Sequence, residues 1–182
     1  MTFVIGCQST TNTQSVTSSS ASASSSAGPS RLVEVKEITP TYRIDLGDQR
    51  RLAGLADAIF VGTVKEKQDT IFRHANIAYT KFTVNIMLVL KGGASGAVTV
   101  EQQGGFDAKS NTRYIVKGDR PLATGGAYIF VAMHREKENT YNVINMYGDI
   151  PLTDAEASAA TSENPPVAIV KMRDSIANQI PS

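Results

Sequence analysis

Tryptophan is absent from these 182 residues, and cysteine and histidine are nearly so, with one Cys and two His. A single cysteine excludes an internal disulfide framework and any zinc site built from several thiolates. The two histidines, His74 and His134, are far apart and show no H-x-x-x-H spacing, so they do not make a three-ligand zinc site without carboxylates. An excess of charge of one sign is also missing. Eighteen Lys and Arg against 17 Asp and Glu leave +1, so no global field recruits nucleic acid or an anionic membrane. No run approaches the ~20 apolar residues of a membrane-spanning helix. There is no G-x-S-x-G elbow, no phosphate loop and no G-x-G-x-x-G. The pairs Gly92-Gly93, Gly104-Gly105 and Gly125-Gly126 read as turns between strands. His74 falls in a hairpin connection and His134 at a strand end, both ordinary places for polar side chains. The carboxylates of Glu66, Asp69, Glu101 and Asp107 read as surface groups, not as an acid/base pair. The expectation is therefore no catalytic residue, no metal, no cofactor and no enzyme.

What is present begins at "FVIGCQSTTNTQS", residues 3–15, where a short apolar run stops at the lone cysteine. Val4-Ile5-Gly6-Cys7 resembles a bacterial lipobox, in which the cysteine is acylated after the leader is cut. That resemblance implies lipidation of Cys7 and an extracytoplasmic protein anchored to a bacterial membrane. Residues 1–7 then read as a remnant signal and lipobox. Only "MTFVIG" precedes Cys7, short of a full leader with its basic start and longer apolar stretch. The start lies further upstream, the chain is trimmed, or the match is accidental; the tract that follows favours the lipid. Residues 8–30, "QSTTNTQSVTSSSASASSSAGPS", are low-complexity and hold too little apolar surface to offset their ordering entropy. They read as a disordered tether, spanning roughly 25 Å as a coil and about 75–80 Å when stretched.

The folded domain is expected over 31–182. "RLVEVKEI" ahead of Pro40 suits a leading edge strand or arm, and Asp48 caps a short helix, "QRRLAGLA", with Leu52, Leu55 and Ala56 on one face. "DAIFVGTVKEK" is a strand with Gly62 at a bend or bulge. "AYTKFTVNIMLVL" alternates, with Phe82, Val84, Ile86, Leu88 and Leu90 on one face. "AVTVEQQ", the doubly apolar "AYIFVAMH" and "TYNVINMY" are further strands. Thr153 to Glu156 is a capping-box pattern, and Asn164-Pro165 opens a last helix with Ile169, Met172, Ile176 and Ile180 on one side. The fold class is mainly β: a small barrel or sandwich of roughly five or six strands with a short N-terminal helix and a C-terminal helix.

The strings "ADAIFVGTV", "YTKFTVNIMLVLKG", "VTVEQQGG", "PLATGGAYIFV" and "VINMYGDIPL" resemble a domain of bacterial surface and secreted proteins. They are also similar to the strand order of the tissue inhibitors of metalloproteinases and the netrin-like modules. That resemblance covers about residues 50–152 and implies an OB-type barrel with a helix packed on it. Zinc chelation by a disulfide-locked N-terminal cysteine does not carry over, since Cys7 stands at the far end of the tether without a partner cysteine. The leading functional expectation is a lipid-anchored binding or interaction module with an extracytoplasmic protein partner and no nucleic acid. A protease-inhibitor-like activity is the alternative, and an unrecognised hydrolase comes third. The stretch between Gln103 and Ala127 has little regular pattern, and connections of that length are usually functional or disordered. Within it Arg113, Tyr114, Lys117, Asp119 and Arg120 form the candidate partner-binding set, with Arg113 and Tyr114 as the anchors that interfaces favour. The competing expectation is that Tyr114-Ile115-Val116 merely packs back as a short extra strand.

Overall fold

The computed structural model describes residues 32–73 and 76–181; Cys7, the serine-rich tract and His74 lie outside them. The chain runs through β1 (Glu34–Ile38), α1 (Gln49–Leu55), β2 (Ala58–Arg73), β3 (Ile77–Lys91), β4 (Ala97–Gln103), β5 (Gly105–Asp107) and β6 (Thr112–Val116). It continues through β7 (Ala127–Arg135), β8 (Thr140–Val143), β9 (Asp149–Leu152), α2 (Asp154–Ser158) and α3 (Val167–Ala177). The protein is mainly β. Strands β2, β3, β4, β8 and β7 follow one another edge to edge, and β7 pairs back onto β2, so they form a ring. Every neighbour in the ring is antiparallel except β4 and β8, which run parallel. β9 shares the far edge of β7 with β8, occupying Ala127–Phe130 while β8 takes Ala132–Arg135.

Two apolar layers sandwich the ring wall. Strand side chains alternate across a sheet, and β7 divides accordingly. Phe130 and Ala132 join Phe60, Phe82, Val84, Val100, Tyr141 and Val143 on the inner side, to which all five ring strands contribute. Ile129 and Val131 join Ile59 and Val61 on the outer side, where α1, α2 and α3 cover them with Leu52, Ala53, Ala157, Ile169 and Met172. This is why "AYIFVAMH" is apolar on both faces. The Asp48 carboxylate accepts the Arg50 N–H to cap α1. α2 opens on the reciprocal Thr153–Glu156 capping box.

Three expectations change. α3 starts at Val167 behind Pro166 instead of at Asn164, and Ile180 lies beyond its end. Phe82 to Leu90 do not share one face. Val61 pairs with Leu88 and Gly62 with Ile86, so Met87 is an extra residue, and Leu90 is another. Each such bulge flips the side-chain parity of its strand. Phe82, Val84 and Ile86 therefore face the inner layer, whereas Leu88 and Leu90 pack on the helix side. A Cβ on Gly62 would lie 2.6 Å from the Val84 Cγ1, so glycine suits the crowded site. The third change is in "TYNVINMY", whose strand ends at Val143; in 104–126 the competing expectation of a short strand at Tyr114-Ile115-Val116 is met. β5 and β6 form an antiparallel pair there, and β1 adds alongside β6 in parallel to make a second sheet of three strands.

Candidate functional site

A cleft of about 160 Å³ opens where β5 and β6 lie over the start of β3 and the end of β4. Phe82 on β3 contributes to it and is 1% exposed. Phe106, Tyr114 and Ile115 from the hairpin line it as well. The hairpin approaches the ring closely. Gly105 has φ +139°, and a Cβ there would collide with the Thr80 hydroxyl and come within 2.5 Å of the Thr70 hydroxyl. The Phe106 N–H donates to Thr70 Oγ1 at 3.3 Å, and the Thr80 hydroxyl donates to the Gly104 carbonyl at 2.8 Å.

Lys67 reaches this cleft because of another bulge. Val64 on β2 faces the inner layer opposite Val84, but Glu66 pairs with Thr83 and Lys67 with Phe82, so Lys65 is the extra residue. Directly opposed residues of an antiparallel pair share a face. The bulge therefore sets the Lys67 ammonium on the side of Phe82, where strict alternation would have put Glu66. Bulges often re-aim a side chain in this way beside a binding site.

Gln102, 4% exposed, fastens the segment that follows β6. Its Nε2 donates to the Arg120 carbonyl at 2.7 Å and to Asp149 Oδ2 at 3.3 Å, and its Oε1 accepts the Leu122 N–H at 2.9 Å. The Asp119 carboxylate accepts the Arg120 N–H at 2.8 Å and the Met146 N–H at 3.2 Å. Burial, then the nearby Asp119 charge, push the Asp149 carboxyl up to about 7.

Of the five residues singled out in the sequence, Arg113, Tyr114, Asp119 and Arg120 line the cleft. Lys117 does not; it stands on the turn after β6, exposed, in an ion pair of 3.5 Å with Glu37. Tyr114-Ile115-Val116 is a true strand segment, and the Tyr114 ring packs edge-on to Phe72 with centroids 5.8 Å apart. Lys36 Nζ sits 5.9 Å from the centre of the same ring. Sequence reading missed Lys67, Phe82, Gln102 and Phe106. Phe82 looked like core, which it also is, and nothing in the sequence marks the bulge that brings Lys67.

The remaining polar residues settle elsewhere. Glu101 is not a surface group: it is 0% exposed on β4. Arg73 grips it with Nε at 2.9 Å and Nη2 at 2.5 Å, and donates from Nη1 to Glu138 at 3.1 Å. The clamp ties the β2–β3 hairpin to β4 across the sheet. Asp107 accepts the Ser110 hydroxyl at 2.6 Å and the Lys109 N–H at 3.0 Å within the β5–β6 turn. The His134 ring stacks on Tyr141 at 4.6 Å and meets Asn139 at 3.3 Å. Among the described residues no group of three or more His, Cys, Asp or Glu side chains is placed to hold a metal ion. The described lining of the cleft contains no Ser, Cys or His. It sets cations around an aromatic and aliphatic wall. No family model matches this chain, and no curated protein matches it.

Proposed function

We propose that this chain is a binding module, tethered through Cys7 to a bacterial membrane on its outer side, and that the cleft between the β5–β6 hairpin and the ring is its partner contact. The cleft carries the reading: it gathers Arg113, Tyr114, Asp119 and Arg120 around an apolar wall that is already held in place. Tyr114 is braced by Phe72 and Lys36, and the 119–122 segment by Gln102. A contact surface ordered before binding loses less entropy when a partner arrives. Supporting the finer fold reading, a ring in the order β2-β3-β4-β8-β7 with one parallel closure follows the strand order of an OB-type barrel. An inhibitor-like role on that scaffold would act through this hairpin and not through a terminal cysteine.

The test is capture of extracytoplasmic proteins on the immobilised chain, comparing wild type with Arg113→Ala/Tyr114→Ala. Arg113 is exposed and Tyr114 half-buried against Phe72, and a circular dichroism melt checks that the variant is folded. Loss of a partner by tenfold or more in the double variant is the expected result. Undiminished capture removes the cleft as the contact. A protease panel run in parallel separates an inhibitor from an adhesive or scaffolding module.

A further inference from the structure

Three cationic residues are among those lining the cleft: Lys67 from β2, Arg113 from β6 and Arg120 from the segment after it. Among the described residues, none of their side chains has a hydrogen bond or an ion pair. Two nearby lysines are paired, Lys36 on β1 with Glu34 and Lys117 after β6 with Glu37, each at 3.5 Å. The one carboxylate lining the cleft, Asp119, already accepts two backbone N–H groups. Three cations less one carboxylate leave an excess of two positive charges on the lining, in a molecule whose net charge is +1 overall. The electrostatics thus select an anion.

Shape and polarity narrow it. Phe106, Tyr114 and Ile115 supply apolar contact, so a bare inorganic anion would leave that surface unused. A volume of about 160 Å³ is close to that of an apolar cavity able to accept one benzene ring, ~150 Å³. One ring or branched aliphatic group fills it. Guanidinium groups suit a planar carboxylate because they donate two parallel hydrogen bonds, and Arg113 and Arg120 are the two guanidinium groups on the lining.

We propose that the cleft binds an apolar acid: a single ring-sized or branched apolar group bearing a carboxylate, the apolar part against Phe106, Tyr114 and Ile115 and the carboxylate beside Arg113, Arg120 and Lys67. The inference rests on the binding-module reading and specifies what is presented there. A free small acid carries this chemistry, and so does the C-terminal residue of a polypeptide with an apolar side chain.

The experiment is a nitrogen-15 NMR titration of the full chain with four probes. They are 3-phenylpropionate, its neutral amide, a pentapeptide ending in phenylalanine with a free C-terminus, and the same peptide amidated. The acids are expected to shift the Gly104, Gly105, Ile115 and Val116 amides and to bind at least tenfold more tightly than their amides. Arg113→Ala should weaken the acids about tenfold and leave the amides unchanged, while Arg173→Ala, on α3, changes neither. Tighter binding by the peptide assigns the ligand to a polypeptide end; tighter binding by phenylpropionate assigns it to a small molecule. Equal binding of acid and amide, or no shift at those four amides from any probe at millimolar concentration, overturns the proposal. If the acids fail while partner capture still depends on Tyr114, the ligand class is wrong and the module reading stands. If the acids bind while no protein is captured, the reverse holds.

Discussion

Asp149, half-buried, and Glu101, fully buried, show how differently two carboxylates are treated in one sheet. At Glu101, Arg73 supplies two hydrogen bonds that replace lost water. Asp149 has no cation; it receives one amide N–H from Gln102, at 3.3 Å, and it faces Asp119. Its folded carboxyl titrates at about 7 against an ordinary 3.8. A group whose proton is held more tightly in the folded state contributes stability that is fully present below the ordinary value and is lost as pH rises through the raised one. The protein is therefore expected to lose stability between about pH 4 and pH 7, on the order of 2–4 kcal/mol from this group at ~1.4 kcal/mol per unit. Asp149→Asn mimics the protonated acid and still accepts from Gln102. Denaturant melts at pH 5 and pH 8 should show the variant gaining more on wild type at the higher pH. An identical difference at both values would remove Asp149 as the titrating group. Neither role was legible in the sequence: Glu101 looked like any strand carboxylate, and its arginine lies 28 positions away.

At the scale of elements, local chemistry was readable and pairing was not. The capping residues of α1 and α2, the two-faced apolar run of β7 and the turn glycines announce themselves through side-chain type within a few positions. The bulges at Lys65, Met87 and Leu90 do not, because an extra residue is defined only against a partner strand. They split one alternating stripe between two cores and carry Lys67 to the cleft, so a site residue was hidden by the same event. β1 was legible as an extended segment, but its partner β6 is 78 positions on in register, a contact that local periodicity does not report. The pattern in 104–126 was weak because β5 has only three residues and β6 five, too few for alternation to stand out. Gly105 tests how the hairpin is seated. With φ +139° and two threonine hydroxyls where a Cβ would go, Gly105→Ala should cost about 2–4 kcal/mol from backbone strain and overpacking together. It should also displace β5, so amide exchange at Gly104 and Phe106 is expected to accelerate before the ring strands respond. A Gly105→Ala variant with wild-type melting and exchange would show that the hairpin does not sit against Thr70 and Thr80.

For the whole molecule, the question is what holds it where it works. Both apolar layers of the described domain are satisfied internally, one inside the ring and one beneath the helices. None of the described helices is long and apolar enough to cross a membrane, and a net charge of +1 supplies no electrostatic adsorption. On the proposed reading, membrane attachment therefore rests on Cys7. One acyl chain binds a bilayer only marginally, so stable anchoring takes two or more. Expressed behind the upstream sequence of its own gene, the protein should enter the detergent phase and incorporate labelled palmitate. On the tether reading, Cys7→Ala should move it to the aqueous phase without changing its melting temperature. Removing residues 1–30 should likewise leave the melt of the remaining domain unaltered. If palmitate is not incorporated, the anchor is lost from the proposal. If the melt falls when the tract is removed, the tract is part of the fold and not a tether.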